Sequence, residues 1–359
     1  MNCNIKCKMN MKAYIPYMAI IFNQFAFAGS NILMKIALER GLNQLVFVVY
    51  RHVIAMFLLG PFAYVLERKQ RPKPSFAVMA KIFVLALLGA TIHINVYYIG
   101  MDYVSPTVAT ALGNVVPSFT MEKVKITSGR GRAKVLGTII CVGGSLLFTL
   151  WRSGYLFKSV VEKPLINIYH NNADHLRYHG KENWIKGSAL ILTSHIALSS
   201  WLILQAKVFK EYPAPLSMNT LICFFASLQT SFLALFFGRD PTIWKLDWNV
   251  QFLTVMYCGV LNSALVYYLQ TWCISVKGPV FTVMFIPVQL VIVALFSTIA
   301  FAERLHLSSL TGAFFIVAGL YCVLWGKRKD SLAADDEHKD GNMKTTTDDK
   351  ILEISTSTK

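Results

Sequence analysis

Charge is scarce in this 359-residue chain: Asp, Glu, Lys and Arg make up 15% of it, against about a quarter in an ordinary soluble domain. The soluble-enzyme signatures are missing as well. There is no P-loop, no dinucleotide fingerprint, no H-E-x-x-H and no G-x-S-x-G in a suitable context. No facing pair of membrane helices offers a catalytic set, so no enzyme activity is expected. The seven cysteines are odd in number and follow neither a disulfide framework nor a zinc spacing. No metal and no cofactor are expected, and no N-x-[ST] sequon occurs.

What is present is apolar sequence, 55% of the chain. It comes in runs of about 20 residues, the length that spans a bilayer as a helix. Ten candidate spans cover roughly 14–36, 44–66, 80–101, 104–120, 134–151, 185–206, 215–237, 250–273, 280–301 and 308–326. The expected class is an all-α integral membrane protein with a lipid bilayer as its solvent. The first run is longer than the apolar core of a signal peptide, so a retained helix is expected.

The net charge of +16 then reports topology and lipid headgroups rather than nucleic acid, because the basic residues sit in connecting segments. Basic residues crowd the N-terminal segment, "ERKQRPKPSFAVMAK", "EKVKITSGRGRAK" and the "KRK" at 327–329, while "ALERGLN" has one basic residue and the turn at Asp102 none. The positive-inside rule places both termini in the cytoplasm. Segment 152–184, expected outside, holds Arg152, Lys158, Lys163, Arg177 and Lys181 and argues weakly against this.

The chain repeats itself. "VYYIGMDYVSPTVATALGNVVP" starts at Val96 and "VYYLQTWCISVKGPVFTVMFIP" at Val266, 170 positions later. At that shift Tyr97 meets Tyr267, Tyr98 meets Tyr268, Ser30 meets Ser200 and Pro117 meets Pro287. Five spans followed by five more make two inverted halves, since five is odd. That is an architecture of secondary transporters, with the site at mid-membrane between the halves. Past the proline the copies differ. Glu303 lies 16 residues after Pro287, but Glu122 lies five after Pro117, a deficit of eleven residues in helix 4. Gly137 and Gly144, like Gly312 and Gly319, are seven apart, a spacing that allows close helix packing in lipid.

The stretches "NILMKIAL", "VVYRH", "PFAYVLERK", "RPK", "AKVLGT", "FKEYPAPLSMN", "KGPVF", "AERL" and "GLYCVLWGKRKD" occur in that order. With them the chain resembles the plant walls-are-thin-related, nodulin-type transporters, in the EamA branch of the drug/metabolite transporter superfamily. The resemblance covers about residues 14 to 330. It implies two five-helix EamA repeats, here 14–151 and 185–326. They are flanked by a cytoplasmic tail at 1–13, a connecting loop at 152–184 and a disordered cytoplasmic tail at 327–359. It implies movement of amino acids or auxin-like organic acids across the plasma membrane or the vacuolar membrane, bidirectionally in some relatives. The shortened helix 4 departs from the family pattern.

Polar groups inside membrane helices are costly and mark pathways. The candidates are Gln24, Asn31, Arg51, His52, Asn95, Tyr98, Asn114, Pro117, Asn262, Tyr268, Pro287 and Gln289, with Lys35, His93, Tyr97, Tyr267 and His195 beside them. A buried arginine pairs with a carboxylate through a bidentate fork. Pro117 frees a carbonyl one turn earlier, near Asn114. No Asp or Glu lies within a span, so an embedded carboxylate relay has no carrier. Facilitated diffusion, or coupling through a histidine such as His52 or His93, is expected instead. The partners expected are a small carboxylate-bearing solute and lipid, with self-association left open. A transport-deficient form or scaffold, and a nucleotide-sugar carrier, are the competing readings. Inserting about eleven apolar residues after Thr120, roughly three helical turns, is expected to raise transport in vesicles. Equal rates with and without the insertion would refute the helix 4 argument.

Overall fold

A computed structural model describes residues 2–69, 71–120, 129–150, 181–237, 241–246, 248–301 and most of 311–326. Among the described residues the protein is helical and holds no strand. Helix α1 spans Asn2–Glu39 and so runs through the expected tail at 1–13. Helix α2 covers Gln44–Glu67, α3 Phe76–Tyr103, α6 Lys181–Glu211, α7 Pro215–Phe237 and α8 Val250–Lys277. Helix α4 comprises Pro106–Leu112 and Val116–Thr120 around a 3-10 turn at Gly113–Val115, and α5 covers Gly129–Leu150. Helix α9 comprises Pro279–Val283 and Ile286–Phe301, and the described residues of 311–326 form α10.

Seven of these helices, α1, α2, α3, α6, α7, α8 and α9, are long and apolar enough to cross a membrane. Ten spans were expected. Helix α4 is too short to count over its described residues, and α5 and α10 are helical but outside the seven. The helices expose large apolar side chains such as Phe57 at 70% and Phe314 at 71%, as a lipid-facing surface requires. Glu122, Lys123 and the Glu303–Arg304 exit fall outside the described residues.

The inversion of the two halves is visible in the contacts. Helices α2 and α7 are equivalent under the repeat, and they pack against each other. The Glu67 carboxylate at the end of α2 accepts hydrogen bonds from Leu216 N (2.8 Å) and Ser217 N (2.7 Å) at the start of α7. Such a carboxylate satisfies the free N–H groups of a helix N-terminus and complements its dipole. At the other end, Tyr50 near the start of α2 packs edge-on against Trp244 beyond α7. Equivalent helices therefore run antiparallel. The remaining contacts come in twins: α3 packs on α6 as α8 packs on α1, α6 on α4 as α1 on α9, and α3 on α7 as α8 on α2.

Two distortions recur at equivalent places. A π-helical turn occupies Leu87–Ile94 in α3 and Cys258–Val266 in α8, just before the tyrosine pairs. Helix α4 breaks at Gly113–Val115 and α9 at Met284–Phe285, each ahead of its proline. A proline removes one N–H and crowds the carbonyl one turn earlier, which accounts for both breaks. The helix pairs close up on glycine. A Cβ on Gly187 would lie 2.6 Å from Tyr103 Cβ and 3.2 Å from the Gly100 carbonyl, and one on Gly137 2.7 Å from the Gly319 carbonyl. Gly187→Val is expected to lower stability by roughly 1–3 kcal/mol through overpacking, read as a drop of several degrees in the thermal midpoint in detergent. An unchanged midpoint would show that the α3–α6 seam is looser than the distances indicate.

Candidate functional site

Between the halves lies a cavity of about 140 Å³. Its wall is built from α1, α2, α3, α4, α6, α8 and α9. Each π-turn places a glycine at a close approach between helices. Gly89 lets the Trp201 indole approach α3, where a Cβ would sit 2.5 Å from the ring. Gly259 lets α8 close on α2, where a Cβ would lie 3.3 Å from the Arg51 carbonyl. Side chains that follow a π-turn are rotated relative to an α-helix, and His93, Tyr97 and Tyr98 all reach the cavity.

Arg51 is the centre of the site. It is 3% exposed. Its Nε donates to Ser263 Oγ (2.8 Å) and its Nη1 to Tyr98 Oη (3.3 Å), both neutral acceptors. Its guanidinium carbon lies 5.6 Å from the Phe47 ring centroid. Among the described residues it forms no ion pair, and no Asp or Glu lines the cavity. A buried cation without a counter-charge is strongly disfavoured in low dielectric. An anion entering this cavity removes that penalty.

Around the arginine the wall is aromatic: Phe27, His93, Tyr97, Tyr98, His195, Trp201 and Tyr267 all contribute. Trp201 and Tyr267 rings stand 5.8 Å apart, Tyr97 and Tyr98 5.7 Å, and His93 and His195 6.0 Å. Several polar atoms of the lining residues are buried and unpartnered: Gln24 Oε1, Asn262 Oδ1, Thr282 Oγ1 and Trp201 Nε1. Buried polar groups left without partners are uncommon and costly. The wall thus offers a donor set, Arg51 and Trp201, and an acceptor set, Gln24 and Asn262, to one small polar guest.

Of the sequence candidates, Gln24, Asn31, Arg51, Tyr98, Asn262 and Gln289 line the cavity. Asn31 also donates to Thr110 Oγ1 (3.3 Å), tying α1 to α4. The other six do not line it. His52 is buried behind Arg51, its Nδ1 bonded to the Val48 carbonyl at 2.7 Å. Asn95 shares no face with Tyr98 toward the cavity. It lines a lateral crevice between α3 and α7 and bonds the Thr91 carbonyl (2.8 Å). Asn114 donates to the Ala111 carbonyl (3.1 Å), so it secures the break rather than facing a guest. Pro117 and Pro287 act through the breaks they cause. Tyr268 is half-buried outside the cavity, where Tyr267 is the member of its pair that reaches in. Lys35 bonds the Met101 carbonyl (3.0 Å) and pairs with Glu39 (3.5 Å) near a helix end, an anchoring position.

Sequence reasoning missed Trp201, Gln270, Thr110 and Thr282. The repeat offered a signal for Trp201: it is the equivalent of Asn31, next to the matched serines Ser30 and Ser200. Gln270 is equivalent to Gly100 and carries no such signal.

The chain matches a family model described as the EamA-like transporter family over residues 15–150 and 185–325. It is 35% identical to the WAT1-related protein At5g64700 of Arabidopsis thaliana, over 92% of this chain and 95% of that protein. It is 36% identical to the protein WALLS ARE THIN 1 of the same plant, over 88% of this chain and 83% of that protein. A solved structure at 12% identity aligns with a TM-score of 0.56 over 89% of this chain and 98% of its own, a likeness of fold alone.

Replacing a buried ion by an apolar side chain of similar volume is often neutral or stabilising. Ligand-free Arg51→Met is therefore expected to keep or raise the thermal midpoint. A fall of several degrees would show that the bonds to Ser263 and Tyr98 outweigh the cost of burying the charge.

Proposed function

From a chain that belongs to the EamA-like transporter family and, within it, to the WAT1-related plant proteins, we propose a secondary transporter of small carboxylate-bearing solutes. Membership makes the protein a multi-pass membrane transporter of the drug/metabolite superfamily. The solute class is our reading: amino acids or auxin-like organic acids. Arg51 carries it, as a buried guanidinium with no counter-ion among the described residues.

The solute carboxylate meets Arg51 in place of a counter-ion, and the Trp201 indole N–H supplies a further donor. An amino group meets Gln24 Oε1 and Asn262 Oδ1, with the tyrosine faces as cation–π partners. An aromatic acid instead lays its ring against Trp201 and Tyr267. A cavity of about 140 Å³ is smaller than the roughly 300–1,000 Å³ of drug-sized ligand pockets, which disfavours a nucleotide sugar. The inverted halves support alternating access about this cavity. The charge pattern of the connecting segments supports cytoplasmic termini, and the plasma membrane is the membrane we assign.

Proteoliposomes loaded with labelled glutamine, tryptophan, indole-3-acetate or a nucleotide sugar test the reading by counterflow. One of the carboxylates is expected to exchange and the nucleotide sugar is not. Arg51→Gln is expected to slow exchange at least about tenfold, the scale of a lost charge-assisted hydrogen bond, and Arg51→Lys less. Exchange by Arg51→Gln at the wild-type rate would overturn the reading.

A further inference from the structure

The sequence left open how a carrier with no carboxylate in its spans would be coupled to a gradient. Two imidazoles in the cavity wall address this. His93 lies in the π-turn of α3 and His195 on α6, so one comes from each half. Their ring centroids are 6.0 Å apart, and the Tyr97 ring lies 5.9 Å from His93 and 5.7 Å from His195.

Their hydrogen bonds define which nitrogens are free. His93 Nδ1 is 3.0 Å from the Ser194 carbonyl and 2.8 Å from Ser194 Oγ. A carbonyl accepts only, so Nδ1 carries the proton and Nε2 is left with a lone pair. His195 Nε2 reaches the Ala109 carbonyl at a long 3.5 Å, while its buried Nδ1 has no partner. Each ring thus keeps one uncommitted basic nitrogen. Gly113, at the break in α4, is what allows the backbone to lie over His195. A Cβ there would be 3.3 Å from Cε1 and Nε2 of that ring.

The charged and titratable neighbours are few. Along α3 they are Tyr97 and Tyr98, from α6 His195, from α8 Tyr267, and from α2 the Arg51 guanidinium across the cavity. Helix α7, packed against the same π-turn, turns the Gln229 amide toward Thr91 (2.7 Å) and no titratable group. Helix α1 contributes the amides of Gln24 and Asn31. Among the described residues no carboxylate lines the cavity.

We propose that His93, paired with His195, is a proton-binding site that couples solute movement to a proton gradient. The inference rests on the reading that the cavity takes a carboxylate. With Arg51 already positive, a second positive charge in the same low-dielectric cavity is repelled. A bound carboxylate cancels that repulsion. Proton and carboxylate therefore favour each other's binding, and by linkage the favour is reciprocal. The proton enters from the aqueous side onto His93 Nε2, the carboxylate lodges at Arg51, and both leave on the opposite side. One N–H bond forms and breaks: Nε2 takes the proton from hydronium on one side and returns it to water on the other. A monoanion then crosses with its proton as a neutral sum, and a zwitterionic amino acid crosses with one net positive charge.

Proteoliposomes with the membrane potential clamped at zero, supplied with labelled glutamine or tryptophan, provide the test. A gradient of one pH unit, acid outside, is expected to drive about tenfold accumulation for one proton per solute, the equivalent of one unit of proton free energy. A pH dye inside the vesicles is expected to record the accompanying acidification. His93→Gln is expected to exchange solute, more slowly, yet only equilibrate it under the gradient. His195→Gln is expected to fall between. Wild type that exchanges solute but merely equilibrates it, or His93→Gln that accumulates as wild type does, overturns the proposal. Absence of exchange at equal pH for glutamine, tryptophan and indole-3-acetate alike would instead sink the carboxylate reading, and this proposal with it.

Discussion

A guanidinium buried between two membrane-spanning halves, held among the described residues by a serine hydroxyl, a phenol and an aromatic face, constrains everything around it. In lipid, a charge cannot fall back on water, so the helices nearby must keep it from the hydrocarbon and orient it by neutral contacts. Helix α8 does this by distorting. Its π-turn presents Ser263 to Arg51, and Gly259 within that turn lets the α8 backbone reach α2. Helix α3 reaches the guanidinium through Tyr98, in the α-helical turn that follows its own π-turn. The aromatic wall completes the enclosure. The cost of holding a charge here is the ground on which we propose a guest of opposite sign.

Much of the fold could be read from composition and from the repeat. Apolar runs located the helices, since backbone groups in lipid have no alternative to helical pairing. The 170-residue shift carried the inversion, and the Glu67 cap on α7 is its structural counterpart. The matched prolines located both helix breaks. What the pattern could not convey was rotation. Asn95 and Tyr98 are i, i+3 in regular α-helix and stand about 60° apart around its axis, which is enough to leave Asn95 at the lateral crevice and Tyr98 in the cavity. The π-turns ahead of both tyrosine pairs set where that regular segment faces, and they have no local signature beyond a glycine in an apolar run.

The site was legible where a residue type is anomalous in lipid and illegible where it is ordinary. Arg51, Gln24, Asn262 and Gln289 stand out because amides and charges are expensive in a span, and all four reach the cavity. His52 stands out for the same reason, yet its position beside Arg51 turns it to the Val48 carbonyl. Trp201 is an ordinary residue in a membrane helix, so its equivalence to Asn31 under the repeat is its sequence signal, and the close approach at Gly89 shows its place in the wall. Asn114 was noticed for its proline, and its actual partner is the Ala111 carbonyl of the broken turn.

The breaks in α4 and α9 are equivalent under the repeat, and the two helices touch. If the halves trade conformations, each break must adopt the shape its partner gives up, so one state of the carrier is a template for the other. The trade is not between equals. Arg51 has Leu221 as its counterpart, and Trp201 has Asn31. The cation and the large indole therefore stay on fixed helices while the geometry around them is exchanged. An outward and an inward form of this chain would present the same guest with different surroundings, which makes its two faces kinetically unlike even when no gradient acts.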